Sequence, residues 1–534
     1  MTKFPKCSIF DLPFADGVHL RVGLRLKVLP RLLLPYILDR KGSYGQYASL
    51  GLRNPSVPKA ERKKVLVEFS SPKVSNDFPV KYLRSTVLGA FIANLYEQMG
   101  WDVIKVNYLG DWGKPVGLLG VGWERYGSEE LFKADPVGHL LDVNRQIKEA
   151  FAPEEAAVKK ARDDEKHKKK RRDSNEPADI EATGLFAERN AFCRRMEDGD
   201  EKALAFGQRV RDVNVEYYRK QYARLNVSFD EYSGESLVRP ESMTRVEEIL
   251  KSKGLCEEKG GSCVIDLQKH GKGTGMAIIR DRTGSTTYLL RGLAAVIDLE
   301  QKYSFDTMIY VVAADHAVHF SRLTKLLELM DKSELAKKLQ HASFSDASQV
   351  SEKEGPADAL DEIIDQFEAA MTTSLQTNGS KTADLEKADN LSSVMGVKAL
   401  LAQELSIRRA THHAFDVSRM ASFERGTAPT LQWWCSKLSS VIKGDISLDL
   451  DLNLEDKLDE VNLIRTLAQY PETTIAAYNH LEPAGLFAYL VNVVEKLSPC
   501  LEAVEGEQVT EGQNALFAAT KLVLQNGMKM LGIS

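Results

Sequence analysis

The sequence predicts an α/β region of Rossmann type followed by an all-α helical bundle. An apolar run at 65–69 has strand character, and 84–99 repeats apolar residues at helical spacing through Leu88, Phe91, Ile92, Leu95 and Met99. Two strand-rich segments, GSTTYLLRG at 284–292 and FDTMIYVVAADHAVHF at 305–320, are expected to complete the second half of the sheet. From about Ser392 to Ser534, helix pattern follows helix pattern with few strand signals.

In chain order, residues 1–60 read as a short mixed lead-in and 61–345 as the α/β region. Residues 346–391 are a polar, Gly/Ser-containing stretch with one helix expected at 357–373, and 392–534 form the bundle. A charged insertion at about 154–180 interrupts the α/β region; from 159 to 172 it carries nine basic and three acidic residues. Such a run is either a solvated surface insertion or a contact for RNA phosphates. No internal repeat is visible.

Composition narrows the function classes. The 534 residues suffice for roughly three or four domains. With 43% hydrophobic residues and a mean hydropathy of -0.29, the chain reads as an ordinary soluble globular protein. A net charge of -5 gives no overall nucleic-acid signature, so RNA binding needs a local patch and DNA is not expected as a partner. Cys7, Cys193, Cys256, Cys263, Cys435 and Cys500 form no CxxC pair, so neither a zinc site nor a disulfide framework is expected, and a reducing, cytoplasmic setting follows. The apolar stretch at 28–38 is broken by Pro30, Arg31 and Pro35, which argues against a signal peptide or a membrane span there. A monomer without metal or membrane partner is expected.

The first strand, its loop and the following helix make a natural anion site, because free backbone N–H groups and the helix dipole face the loop. Ser70 and Ser71 end the strand, where a hydroxyl would face the pocket. They are either structural or, as the hydroxyls nearest Tyr82, candidates for a covalent intermediate with Tyr82 beside them.

The blocks EFSSP (68–72), LRST (83–86), NLYEQMGW (94–101), NYLGDWGK (107–114) and ERYG (124–127) closely resemble the start of the catalytic domain of eukaryotic arginyl-tRNA synthetases. RRMEDGDEKAL (194–204), YARLNVSFDEYSGES (222–236) and GSCVIDL (261–267) continue the likeness. SFERGTAPTLQWW (422–434), LAQYPETTIAAYNHLEPAGLFAYL (467–490) and QNGMKMLGIS (525–534) resemble that family's helical anticodon-binding bundle. The likeness covers most of 30–534. It implies a class I synthetase catalytic domain and an anticodon-binding-like bundle, with little room for the family's additional N-terminal domain.

The resemblance also assigns residues. It places Glu68, Lys73, Glu235, Tyr288 and His316 in the substrate pocket. Glu235 of SGES and Tyr288 match the acidic and aromatic residues that hold the arginine side chain, and a carboxylate suits a planar guanidinium. Gly292 stands where the family has an aspartate. Lys73 replaces the asparagine of EFSSPN, and Asp315 or His316 replaces a glutamine; both positions handle the backbone end of the amino acid. Gly110, Asp111, Trp112 and Gly113 match a pocket floor, although a tight turn with a buried Trp explains them equally well.

The nucleotide motifs depart from the pattern. Where the family carries His-Ala-Gly-His, the chain has Pro79, Val80, Lys81 and Tyr82. Removing such transition-state donors typically costs about 100- to 1000-fold each. In the second motif, Ser351 and Lys353 stand among Glu352 and Glu354, which oppose a phosphate. The pattern as a whole resembles a fungal branch of this family, the arginine-containing cyclodipeptide synthases, which join arginine to a second amino acid as a diketopiperazine. The leading expectation is therefore a synthase of fungal secondary metabolism fed by arginyl-tRNA and a second aminoacyl-tRNA, with no ATP or other cofactor required at the enzyme. The alternatives are a divergent ATP-dependent arginyl-tRNA synthetase and a catalytically silent paralogue that binds tRNA.

Overall fold

Strand β1 (Lys64–Phe69) forms on the apolar run, and its Val65, Leu66, Val67 and Phe69 are fully buried. Burial on both faces is what a central strand of a parallel sheet demands. It lies between β2 (Asp102–Leu109) and β4 (Thr307–Val311), with β3 (Glu231–Gly234) and β5 (Leu339–His341) at the edges. The order β5-β4-β1-β2-β3 is parallel throughout, with Glu68 opposite Val106 on one side and Tyr310 on the other. Chain connectivity reverses direction between β1 and β4, which opens a crevice at the C-terminal ends of the strands. The structure is a computed structural model that describes residues 7–23, 25, 28–57, 60–74, 78–167, 180–271, 275–345, 359–385, 390–444, 446, 457–505 and 508–534. Ser351 and Lys353 of the second nucleotide motif, and 168–172 of the basic run, lie outside the described residues.

Helix α1 (Lys81–Gln98) begins three residues before the expected start and buries Leu88, Phe91, Ile92 and Leu95. It sits unusually close to β1, because a Cβ on Gly89 would lie 2.1 Å from Cγ of Phe69. Helices α2 (Lys114–Tyr126), α3 (Pro136–His167), α4 (Gly184–Glu197) and α5 (Glu201–Arg224) follow β2 and carry the insertion. The expectation of strand at GSTTYLLRG is corrected. Thr286 and Thr287 precede α6 (Tyr288–Tyr303), and the Thr287 hydroxyl caps it by accepting the Leu290 N–H at 3.3 Å. A short apolar run flanked by threonines does not distinguish strand from capped helix, and here the cap decided. Helix α7 (Ala317–Leu329) follows β4. A three-stranded antiparallel sheet (Glu257–Lys259, Ser262–Asp266, Met276–Arg280) precedes α6.

The C-terminal region is helical: α8 (Leu360–Thr377), α9 (Leu391–Ser406), α10 (Ala428–Val441), α11 (Leu458–Ala468), α12 (Tyr470–His480), α13 (Ala484–Glu502) and α14 (Glu511–Leu531). Helix α13 is long and apolar enough to cross a membrane, yet Leu486, Leu490, Val493 and Leu497 are fully buried against its neighbours. The lead-in helix Val28–Arg40 packs on α14, and Tyr44 donates to the Leu467 carbonyl at 2.9 Å.

One buried charge cluster joins the two regions. Arg84, on the apolar stripe of α1, is 1% exposed. Its Nη1 donates to Glu404 Oε2 at 2.8 Å and lies 3.1 Å from His413 Nδ1, while Nη2 donates to the Arg408 carbonyl at 3.0 Å. His413 Nε2 is 2.9 Å from the other Glu404 oxygen. Breaking such a pair by removing one partner costs about 3–5 kcal/mol, so the cluster holds α1, and the loop before it, in register with the bundle.

Candidate functional site

A cavity of about 670 Å³ opens at the C-terminal ends of β1, β2 and β4. It brings together Glu68, Ser70, Ser71, Lys73, Lys81, Tyr82, Gly110, Trp112, Gly113, Glu235, Tyr288 and His316 from the residues singled out in the sequence. Its floor comes from the sheet and α6; its mouth comes from the loop between β1 and α1.

At the floor, the Glu235 carboxylate is already paired. Arg291 Nε donates to Glu235 Oε2 at 2.6 Å, and Arg291 Nη1 donates to the Thr286 carbonyl and hydroxyl, each at 2.7 Å. Burial pushes the Glu235 carboxyl up, and Arg291 opposes that shift. Tyr288 is 42% exposed because it faces the cavity, yet burial of its phenol, with the Glu68 and Glu235 carboxyls close by, raises its pKa. Its ring packs at a tilt against His319, with centroids 4.6 Å apart, and burial holds that imidazole down at about 4, neutral at physiological pH. Leu323 and His319 are the nearest groups to Gly292, where a Cβ would lie 3.4 Å from Leu323.

Glu68 also faces the cavity. It is buried and has no ion-pair partner among the described residues, and burial pushes its carboxyl up to about 8. The Tyr108 hydroxyl beside it is buried without a hydrogen-bond partner. A lone carboxyl next to an unsatisfied phenol suits a cationic or hydrogen-bonding occupant, because either one would relieve the desolvation.

At the mouth, Pro79 and Val80 lead into α1, and Lys81 is exposed. The Tyr82 ring stacks on Phe78 at 6.0 Å, its phenol is raised by burial, and Lys81 Nζ lies 5.2 Å from its centre. Ser70 and Ser71 are both left-handed, with φ of 67° and 48°, a strained bend that turns the chain sharply at the end of β1. Ser70 Oγ is 2.7 Å from the Tyr222 hydroxyl and 2.8 Å from that of Thr86; its N–H donates to Ser85 Oγ at 2.8 Å. Among the described residues no histidine or carboxylate lies within hydrogen-bond reach of either serine hydroxyl, so the geometry supplies no general base there. His316 sits on the rim, half exposed, with Asp315 3.7 Å away.

The floor segment divides. Gly110, Trp112 and Gly113 line the cavity, and Gly113 takes a φ of 78° at the start of α2. Asp111 instead points away from the cavity into the protein. It pairs with Arg211 and accepts from the Ser236 N–H at 2.8 Å and the Ser236 hydroxyl at 2.6 Å, which fixes the loop that carries Glu235. Sequence reading missed Arg291, Tyr108, His319 and Arg84. Arg84 alone left a signal, since a charge four residues before Leu88 sits on the buried stripe.

Likeness to known proteins bears on the identity of this site. The pattern for "tRNA synthetases class I (R), catalytic domain" matches residues 50–417, and that for "DALR anticodon binding domain" matches 435–534. The chain is 36% identical to the cytoplasmic arginine–tRNA ligase of Saccharomyces cerevisiae over 100% of its own length and 84% of that protein. It is 36% identical to a probable cytoplasmic arginine–tRNA ligase of Schizosaccharomyces pombe, over 97% of this chain and 83% of that one. With the mitochondrial arginine–tRNA ligase of S. cerevisiae the identity is 33%, over 97% and 77% respectively, so relatives are named for both compartments. In fold, the arginyl-tRNA synthetase of Plasmodium falciparum superposes with a TM-score of 0.73 at 19% identity, covering 99% of this chain and 86% of that one.

Two expectations are corrected by these likenesses. The cyclodipeptide synthase reading, with its second aminoacyl-tRNA, gives way, because full-length relatives at 33–36% identity are arginine–tRNA ligases. The expectation that no ATP is required falls with it, since a ligase of this kind activates a carboxylate by cleaving a nucleoside triphosphate. The departures at Pro79–Tyr82 weigh too little against several hundred residues of retained pattern.

Proposed function

The chain belongs to the class I arginyl-tRNA synthetase family, and from that premise we propose that it is an ATP-dependent arginine–tRNA ligase with a rebuilt nucleotide loop. The observation that carries this reading is the match to a ligase along the whole chain, catalytic and anticodon-binding regions together. By the family resemblance Glu235 and Tyr288 would receive the arginine side chain, and Glu68, in the same cavity, would offer a carboxylate for a second cationic group. Joining arginine to tRNA requires an arginyl-adenylate, formed as the arginine carboxylate attacks the α-phosphate of ATP and pyrophosphate leaves. The terminal hydroxyl of tRNA then takes the arginyl group and AMP departs.

The protein's part in this is positioning and charge compensation. Arg291 divides Glu235 between itself and the substrate, so an incoming guanidinium must share that carboxylate rather than own it. The Asp111–Arg211–Ser236 contacts keep the Glu235 loop still. Arginine-dependent exchange of pyrophosphate into ATP, followed by charging of arginine tRNA, tests the reading. Exchange above background supports it. Absence of both exchange and charging, with tRNA binding intact, would reduce the chain to a tRNA-binding paralogue.

A further inference from the structure

We propose that Tyr222 and Tyr218, one turn apart on α5, are positioning residues for the reaction: they clamp the left-handed bend that ends β1, and Asp361 of α8 braces them from the helical region. The rate expected below rests on the ligase reading; the clamp itself follows from hydrogen bonds and burial.

Ser70 and Ser71 line the cavity with a left-handed backbone, which a residue bearing a side chain holds only where its surroundings over-determine it. Those surroundings are buried polar groups from α5, β2 and α1. Asn107 Nδ2, on β2, donates to the Tyr222 hydroxyl at 2.7 Å, and that hydroxyl stands 2.7 Å from Ser70 Oγ. The Asn107 amide fills the phenol as a donor, so the phenol's own proton is left for Ser70. Ser70 Oγ lies 2.8 Å from Thr86 Oγ1, which donates to the Tyr82 carbonyl at 2.7 Å. Ser85 Oγ accepts the Ser70 N–H at 2.8 Å and donates to the Val311 carbonyl, at the end of β4, at 2.6 Å. Tyr222, Thr86 and Asn107 are all fully or almost fully buried, so a partner lost here leaves a polar group unsatisfied.

On the same face of α5, Tyr218 donates to the Lys73 carbonyl at 3.1 Å. Beyond the bend the chain runs beside the end of β2. The Gly110 N–H donates to the Pro72 carbonyl at 3.0 Å, and the Val74 N–H to the Gly110 carbonyl at 3.4 Å. A Cβ on Gly110 would lie 3.7 Å from Glu235 Oε1, so the bend sets one wall of the space beside Glu235. The adjoining face of α5 meets α8. Asp361 accepts from Arg224 Nη1 at 2.7 Å on one oxygen and from Gln221 Nε2 at 2.9 Å on the other. The Leu360 N–H donates to the Phe78 carbonyl at 2.9 Å, and the Phe78 ring packs on Tyr218 and Tyr222 with centroids 5.3 and 5.4 Å away.

Neither tyrosine lines the cavity, so each acts through the bend. Misplacing that wall costs rate more than affinity, because Glu235 and Tyr288 sit on other elements and stay where they are.

Hydrogen–deuterium exchange over residues 65–74 and steady-state pyrophosphate exchange, both on the full chain, test this together. In Tyr222→Phe the amides of Ser70, Ser71 and Val74 should lose protection. Its kcat should fall about tenfold while the KM for arginine stays within about twofold. A purely structural role would lower the melting midpoint and leave kcat untouched below the transition. Tyr218→Phe should act in the same direction, and Asp361→Asn should lower kcat about two- to fivefold, the value of a partly exposed ion pair. Unchanged protection in Tyr222→Phe overturns the clamp, and lost protection with an unchanged kcat overturns the positioning role. Wild-type protection and rate in Asp361→Asn remove the brace. If wild-type protein shows no pyrophosphate exchange while Tyr222→Phe loses protection, the ligase reading fails and the clamp stands. Robust exchange with protection and rate unaltered in Tyr222→Phe keeps the ligase reading and removes the clamp.

Discussion

At the floor of the cavity, Glu235 is buried, paired with Arg291 at 2.6 Å, and sits on a loop pinned through Asp111 and Arg211. At the mouth, Pro79, Val80, Lys81 and Tyr82 are partly or fully exposed, and none of their side chains makes an ion pair among the described residues. By the motif resemblance, the floor would keep the family's residues at Glu235 and Tyr288, while the mouth would depart from them at all four positions of the first nucleotide motif. The difference follows from physical coupling. Changing a buried, paired carboxylate strands its partner and costs several kcal/mol, whereas changing a partly exposed residue with no charged partner costs the fold less.

The contrast breaks first at Arg84, where the loop's helix meets the bundle. Arg84→Met leaves Glu404 buried without its cation, and we expect a loss of about 3–5 kcal/mol, read as a lower denaturation midpoint in urea. Stability within about 1 kcal/mol of wild type would show that the loop's anchorage lies elsewhere. Next in size is the mouth itself. The double substitution Pro79→His with Tyr82→His returns two donors, and pyrophosphate exchange should rise about 100-fold with little change in thermal midpoint. No rise would mean that donors at these two positions do not limit the exchange.

At the floor, Glu235→Gln should raise the KM for arginine about 10- to 150-fold, the value of a lost hydrogen bond to a charged group. The steady-state rate at saturation should move less, and a KM unchanged within about twofold would place the guanidinium elsewhere. The smallest effect concerns Glu68. Its carboxyl is pushed up to about 8 in the folded protein from an ordinary value near 4.5. The folded state therefore holds a proton that the unfolded state has released, so this group's contribution to stability is greatest below about 4.5 and fades as pH rises to about 8. Binding of a cation runs the other way. Arginine affinity should climb by up to about tenfold per pH unit below about 8 and level off above it, and Glu68→Gln should flatten that profile. An identical profile in the variant would remove Glu68 from the cation's neighbourhood.

Much of this is legible in the sequence. The run at 65–69 is strand because β-branched and aromatic residues with no turn former can only be buried from both sides, and the spacing of Leu88, Phe91, Ile92 and Leu95 is a helix face. The ordered motif blocks place Glu235, Tyr288, Lys73 and Lys81, residues that share one cavity in the fold. The same blocks mislead where local substitutions at the mouth are read as a change of reaction. Four altered residues report on a loop, while the full-length likeness reports on the enzyme.

By itself, then, the sequence determined the parallel α/β region, the helical bundle and the family blocks, because hydrophobic period and motif order are local properties that survive in one dimension. Tertiary structure alone decided that Thr287 caps a helix, that Arg291 claims one oxygen of Glu235 across 56 residues, and that Arg84 meets Glu404 across 320. Partners so far apart in the chain leave no periodic trace. Their pairing is selected only when folding removes water and a buried charge must find its opposite.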